Sequence, residues 1–229
     1  MIYISKLFSP ISTGTAAGDI DVGATGKINE NGQAVDYLVV HQGLPSDIYD
    51  ASCEGTWCLR KDIAENRQWN SKNVNDYENS TVNAYLNGAW LDRYDPSVAE
   101  SIIQAKIPYV DGSGNSPVAS GASGLSVKAF LLGWYELGFT QSDSAHSPAD
   151  GAKLSYFEPG LGSTANNKRI AKLNGSNSQW HTRVPYMYNA LNCFIIGING
   201  VFEPYPCTAS LGLRPCIILP YSFKFQEVS

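Results

Sequence analysis

The stretch Ser80-Thr-Val-Asn-Ala-Tyr-Leu-Asn-Gly-Ala-Trp90-Leu-Asp-Arg-Tyr-Asp95-Pro-Ser-Val-Ala-Glu100-Ser-Ile-Ile-Gln-Ala-Lys-Ile107 decides the fold class expected of this chain. Ser80 or Thr81 is a helix N-cap residue type. Val82, Tyr85, Leu86, Ala89 and Trp90 then recur at i, i+3, i+4, i+7 and i+8, which puts them on one helical face. Asp95-Pro96 opens a second helix, with the aspartate as cap and proline at the first helical position. Val98, Ala99, Ile102 and Ile103 would dock on the core, and Pro108 would stop the helix. Two adjacent helices followed by short strands and long loops give an α+β expectation.

The strand signals lie outward from this region. On its N-terminal side, Asn31-Gly32 marks a hairpin turn leading into a strand over Ala34–His41. Residues 1–26 read as an N-terminal arm or attachment segment, because Ser12-Thr-Gly-Thr-Ala-Ala-Gly is too small and polar to pack a core. On the other side, 111–124 and 141–167 read as loops, and the apolar run Leu125–Phe139 reads as strand, turn and strand. Three late strands follow, Gln179–Val184, Cys193–Ile198 and Leu211–Leu219. Asn199-Gly200 is the turn after the second, and Glu203–Ser210 is a loop. No internal repeat is present, which excludes solenoids and propellers.

Composition narrows the function classes. Of 229 residues, 16 % are charged and 11 % aromatic, with 13 Tyr. Few charges with many Tyr, Asn, Ser and Gly is the palette of a recognition surface. The net charge is −5 and no Lys/Arg cluster exceeds two residues, so nucleic-acid binding lacks its electrostatic footprint. No apolar run approaches the roughly 20 residues of a membrane span. The start, Met1-Ile-Tyr-Ile-Ser-Lys-Leu-Phe, is too short an apolar stretch for a secretory signal.

Signatures of catalysis are missing. There is no nucleophile elbow, Walker loop, H-E-x-x-H or dinucleotide fingerprint. Asp62 and Glu65 lie about one turn apart on a possible helix, but surface carboxylates at that spacing are usually solvated. His181 has no adjacent Ser, Cys or acid to complete a pair. Arg183 and Arg214, near Pro185 and Pro215 in apolar strands, read as buried guanidiniums tied to carboxylates or carbonyls. Five cysteines (Cys53, Cys58, Cys193, Cys207, Cys216) with no C-x-x-C lay out no zinc site and favour free thiols. Cys53–Cys58 and Cys193–Cys207 are the pairs an oxidising environment could close.

The segment Tyr186–Leu211 is the most unusual. It holds Tyr186, Met187, Tyr188, Leu191, Phe194, Phe202 and Tyr205 with a single charge, Glu203. Its loop parts, Tyr186–Asn192 and Val201–Ser210, would expose aromatics that a core does not require.

A resemblance covers roughly residues 27–220. Leu59-Arg-Lys-Asp-Ile-Ala-Glu-Asn-Arg-Gln-Trp, Ser71-Lys-Asn-Val-Asn-Asp-Tyr, Asp150-Gly-Ala-Lys-Leu-Ser-Tyr-Phe, Ala165-Asn-Asn-Lys-Arg-Ile-Ala and Leu213-Arg-Pro-Cys-Ile-Ile-Leu-Pro carry it. Together they resemble an uncharacterised domain family of gut Firmicutes, their prophages and phages. In such proteins the final segment opens on a W-W-L-R-S-P-Y-like motif and closes on G-[IV]-R-P-A-L. Here these read Trp180-His-Thr-Arg-Val-Pro-Tyr and Gly212-Leu-Arg-Pro-Cys-Ile, with His181, Thr182, Val184 and Cys216 departing from the pattern.

Members of this kind resemble the variable proteins of diversity-generating retroelements, which randomise adenines in a C-terminal cassette shown on a C-type-lectin-like fold. The resemblance thus implies a C-type-lectin-like α+β domain with two helices and a small irregular antiparallel sheet, spanning 27–229, with a variable region at about 180–216. It implies a non-enzymatic, cofactor-free receptor-binding protein of a phage tail or bacterial cell surface. Its partner would be a bacterial surface protein or glycan, with other tail proteins and further copies of the chain as additional partners. The ligand-binding residues it implies are His181, Thr182, Val184, Tyr186, Tyr188, Asn189, Ala190, Asn192, Cys193, Phe202, Pro204, Tyr205, Thr208 and Ser210. Calcium, by analogy with lectins, would need a dense acid cluster, and none is laid out.

One internal check bears on diversification. Randomising the adenines of an AAC-type Asn codon cannot yield Lys, Gln, Trp, Met or Glu. Between His181 and Leu211 only Met187 and Glu203 break that rule, whereas these five types fill about a fifth of an ordinary segment. Two rivals are a structural virion or cell-surface subunit, and an oxidase of the formylglycine-generating type using Cys207 with Cys216.

Overall fold

The computed structural model describes residues 14–112, 116–140 and 149–226. The strands run, in chain order, β1 (Thr25–Glu30), β2 (Gln33–Gln42), β3 (Thr56–Arg60), β4 (Glu65–Gln68), β5 (Ala105–Ile107), β6 (Tyr109–Val110), β7 (Val118–Ala119), β8 (Leu125–Val127), β9 (Ala129–Phe130), β10 (Ala171–Leu173), β11 (Ser176–Ser178), β12 (Trp180–Pro185), β13 (Asn192–Ile196), β14 (Phe202–Pro206), β15 (Ser210–Leu213) and β16 (Cys216–Leu219). Three short helices accompany them: α1 (Thr81–Leu86), α2 (Pro96–Ser101) and α3 (Ser163–Arg169).

This corrects the α+β expectation of two helices beside a small irregular sheet. Strand is 35 % and helix 17 % of the structure, and two five-stranded sheets carry it, in the orders β1-β2-β3-β16-β9 and β14-β13-β12-β15-β4. The physical reason lies in the two expected helices. Ser80 does cap α1, its side chain accepting from the Asn83 N–H, and Val82 and Leu86 are buried on one face as the spacing predicts. Tyr85, however, is half-buried, Ala89 is exposed, and Trp90, though buried, lies past the helix end. Asn87 then ends the helix. Its side chain donates to the Ala129 carbonyl at 3.0 Å and accepts from the Lys128 N–H at 2.7 Å, tying the helix end to β9. In α2, Pro96 takes the first turn, but Ile102 turns extended and Ile103 donates its N–H to the Ile218 carbonyl. Pairing with the sheet overrides the helical spacing.

The hairpin signals behave as read. Asn31 and Gly32 both take positive φ, as the two-residue turn between β1 and β2 requires. Gly200, also at positive φ, serves the turn between β13 and β14. Residues 65–68, read as part of a possible helix, form β4 instead. Residues 202–206, read as loop, form β14, and 163–167, likewise read as loop, belong to α3. The run Leu211–Leu219 is broken by Arg214-Pro215 into β15 and β16, which lie in different sheets. The described part of the expected arm is built into the body: Ala17 is buried and donates its N–H to the Phe223 carbonyl, and Ala16 bridges Lys224. Residues 1–13 of that arm lie outside the described residues.

The central strands of both sheets are covered on both faces. In β16, Cys216 and Ile218 enter one core while Ile217 and Leu219 enter the other; in β13, Phe194 and Ile196 divide from Cys193 and Ile195 in the same way. A strand buried on two faces has no polar parity, which is why these segments read as continuous apolar runs. Each fully buried Ile or Leu contributes about 1.5–3 kcal/mol. The two cores together hold β12 and β13 in place, and the chain between these strands emerges as a surface loop.

Candidate binding surface

The fourteen residues expected to bind a ligand separate by depth. His181, Thr182, Val184 and Cys193 are closed to solvent and hold structure instead. His181 Nε2 lies 2.9 Å from the Arg67 carbonyl, joining β12 to β4, and burial pushes its imidazole down to about 4. The Thr182 hydroxyl donates to the Phe194 carbonyl at 2.7 Å. Cys193 is hydrogen-bonded to Cys207 in the core, and desolvation pushes its thiol well up. Tyr186, Asn192, Phe202, Tyr205 and Thr208 are half-buried, while Tyr188, Asn189, Ala190, Pro204 and Ser210 are exposed.

The surface members meet mainly at one end of the second sheet. There the loop after β12 (186–191) lies against the turn after β14, with the Cys207 N–H donating to the Leu191 carbonyl at 2.9 Å. Asn75, buried in the segment after β4, clamps this loop from beneath. Its backbone N–H donates to the Ala190 carbonyl at 2.8 Å. Its side-chain amide lies 3.0, 3.3 and 2.8 Å from the carbonyls of Tyr186, Asn189 and Asn192. The Asn189 side chain adds a bond from the Leu191 N–H, and the Gln68 amide reaches the Thr208 carbonyl on the adjoining turn. A loop whose carbonyls are this fully engaged is set in one conformation before any partner arrives.

What that loop presents is apolar. Tyr188 is 65 % exposed and Leu191 50 %. Behind them runs a file of ring contacts, Tyr188 to Tyr186 at 5.9 Å, Tyr186 to Phe194 at 5.3 Å, Phe194 to Phe202 at 5.7 Å and Phe202 to Trp134 at 4.1 Å. The exposed ring is thus anchored to the core by successive edge contacts, each worth roughly 0.5–1.5 kcal/mol beyond its burial. Neither Asn75 nor Leu191 was among the residues expected from the sequence. Asn75 gave no signal, since its partners lie 111 to 117 positions away. Leu191 was visible only as one more apolar residue in the aromatic segment.

The remaining chemistry is structural in placement. Arg183 is buried and bidentate to Glu136, at 2.5 and 2.9 Å, with further bonds to the carbonyls of Pro108, Leu131 and Asp150. Tyr49 completes the cluster by donating to Glu136 at 2.9 Å. All five cysteines are buried and free. Cys207 sits in the core cluster with Cys193, whereas Cys216 belongs to the other. Asp62 and Glu65 share no helix, and Glu65 pairs with Arg67 and Arg93. No group of three or more potential metal ligands occurs among the described residues, and no helix among them is long and apolar enough to cross a membrane.

Comparison with known families gives one result. Residues 54–221 match the family described as domain of unknown function DUF6273. The chain belongs to that family. The DUF6273 region opens just before β3 and closes after β16, so it contains the whole second sheet, the clamped loop and Asn75. The first sheet of this DUF6273 protein is completed from outside the region, by the β1–β2 hairpin. Comparisons with curated proteins and with solved structures give no match.

Proposed function

We propose that this DUF6273 protein is a non-enzymatic recognition protein, of the receptor-binding kind found on phage tails or bacterial cell surfaces, whose partner is a bacterial surface protein or glycan. The observation that carries the reading is the Asn75 clamp under a loop exposing Tyr188 and Leu191. Pre-set backbone, exposed aromatic and apolar side chains and short polar neighbours (Asn189, Thr208, Ser210) are the elements of a binding face with little ordering cost. Retroelement diversification of the C-terminal segment belongs to this proposal, and burial sharpens it. Codons for 181–185, 193–196 and 207 encode core, so variation is expected at 186–192, 204–206 and 208–210.

Two measurements test it. Adsorption of the purified protein to a panel of intact bacteria and of isolated surface glycans is compared with that of Tyr188→Ser/Leu191→Ser and of Asn75→Ala. The double variant is expected to retain the fold and lose binding. Asn75→Ala is expected to weaken binding and to cost about 1–3 kcal/mol of stability by leaving buried carbonyls unpaired. Unchanged adsorption by the double variant would remove the loop face from the proposal. Sequencing of the flanking DNA addresses diversification: a reverse transcriptase with a second copy of the codons for 180–216, differing at adenines in these stretches, is the expected finding.

A further inference from the structure

Two guanidiniums are equally deep in this protein and differently treated. Arg183 is surrounded by carboxylate and carbonyl acceptors. Arg214 is 2 % exposed, yet it makes one hydrogen bond among the described residues, from Nε to the Arg60 carbonyl at 2.9 Å. It has no carboxylate within ion-pair distance there, and its Nη1 has no hydrogen-bond partner. It also lies against the Trp180 ring, whose centroid is 4.9 Å away, and Asp62 acts on it from beyond ion-pair distance. Burial pulls its pKa down to about 10, which still leaves it cationic at neutral pH. A buried charge without a counter-charge is costly and rarely present without a reason.

Arg214 lines a cleft of about 1070 Å³ at the far end of β15 from Ser210, between the first sheet and the β10–β11 hairpin. Lys61, Lys168 and Lys172 line the same cleft, with Asp62 as its single acid. The lining therefore carries four cations against one anion, in a chain whose net charge is −5. Lys168 is held in position by the carbonyls of Tyr156 and Glu158, at 2.8 and 2.7 Å. Lys61 reaches Asp36 at 3.2 Å, outside the cleft lining. Asp62 accepts the backbone N–H of Lys172 at 3.2 Å, which fixes the hairpin against the rim.

We propose that this cleft binds a small anionic ligand through an oxyanion, a phosphate ester or a carboxylate, seated on Arg214 with Lys61, Lys168 and Lys172 around it. Arg214 supplies planar donors of fixed geometry at the base, and the lysines supply adjustable charge at the rim. The cleft is larger than a bare ion, so the oxyanion is the head of a larger molecule. This site stands apart from the clamped loop and does not depend on the reading given to that loop.

The test is calorimetric titration of the full chain with inorganic phosphate, glucose 6-phosphate, glucuronate and glucose. Saturable binding of glucose 6-phosphate or glucuronate, weakening as salt is raised, with glucose inert, is the expected result; which of the two binds distinguishes phosphate ester from carboxylate. Lys61→Gln/Lys172→Gln, at two exposed positions, is expected to weaken that binding by about tenfold or more. Arg214→Gln is expected to abolish it, and should that variant not fold, the lysine pair carries the test. No anion binding up to concentrations on the order of 10 mM, equal binding of glucose, or indifference to the lysine substitutions would each overturn the proposal.

Discussion

His181 shows how a residue can be chemically suggestive and structurally occupied. Its ring is buried between β12 and β4, and desolvation holds its pKa near 4 instead of 6.5. The folded state therefore keeps it neutral, while the unfolded chain binds a proton as pH falls below 6.5. The stability this contributes is fully present above pH 6.5 and is lost as pH falls towards 4, by about 3 kcal/mol for a shift of this size. Asp150, pushed up to about 6 by burial, has the opposite sign: its contribution falls as pH rises through that value. Denaturant unfolding of wild type and His181→Gln between pH 4 and 7 isolates the His181 contribution. The difference between them should change by about the stated amount, because the Asp150 contribution is common to both. A constant difference would show that the ring takes up its proton at the same pH in the fold as in the unfolded chain.

At the scale of elements, β14 forms one edge of the second sheet, and such edges invite pairing with another chain. Cys207, just past its end, donates inward to Leu191, so by alternation the even-numbered residues direct their backbone N–H positions outward. Two of these are Pro204 and Pro206, which have no N–H to offer. Pro204 was expected to be a ligand contact; its place in the sheet also makes it a guard on the edge. Replacing both, Pro204→Thr with Pro206→Thr, is expected to produce concentration-dependent association in light scattering while the monomer fold persists. A double variant that stays monomeric at high concentration would show that the side chains of β14 suffice.

The behaviour of these elements also explains which parts of the fold were legible in the sequence. Turns at Asn31-Gly32 and Asn199-Gly200 were readable because positive φ at specific positions is a local demand. Ser80 and Asp95-Pro96 correctly marked where helices start. Where they stop was not readable, because Asn87 and Ile103 answer to β9 and β16 and not to their own neighbours in sequence. Depth in the candidate site was hidden for a related reason. Alternation separates inside from outside only when one face of a sheet meets water, and β12 and β13 are covered on both. His181, Thr182 and Val184 were thus assigned to a surface that their strand does not have. The cleft around Arg214 was illegible because its cations come singly, from just past β3, α3, β10 and the break between β15 and β16, so no local run of charge announces it.

The molecule as a whole depends on a buried polar knot. Arg183 on β12, Glu136, Asp150 and Tyr49 come from four separate stretches of chain and meet away from water. Removing one partner leaves a charge that the interior cannot solvate. Glu136→Leu is expected to cost about 3–5 kcal/mol, or a Tm decrease on the order of 10 °C for a chain of this size. Glu136→Leu combined with Arg183→Met should recover part of that loss at a pH below about 6, since it removes both charges together and the Asp150 carboxyl, already pushed up to about 6, takes a proton there. Thermal melting of the two variants checks this. A single variant melting within a degree or two of wild type would mean that solvent reaches the pair.

The pairing of Ala16 with Lys224, and of Lys27 with Gln226, has a practical corollary. The two outermost described stretches lie side by side on the body. A carrier protein whose surface loop is opened at one peptide bond could therefore take residues 14–226 as an insert without its own cut ends being prised apart. Grafted this way, the domain would be held by both connections at once, and the cargo could not swivel as it would on a lone tether.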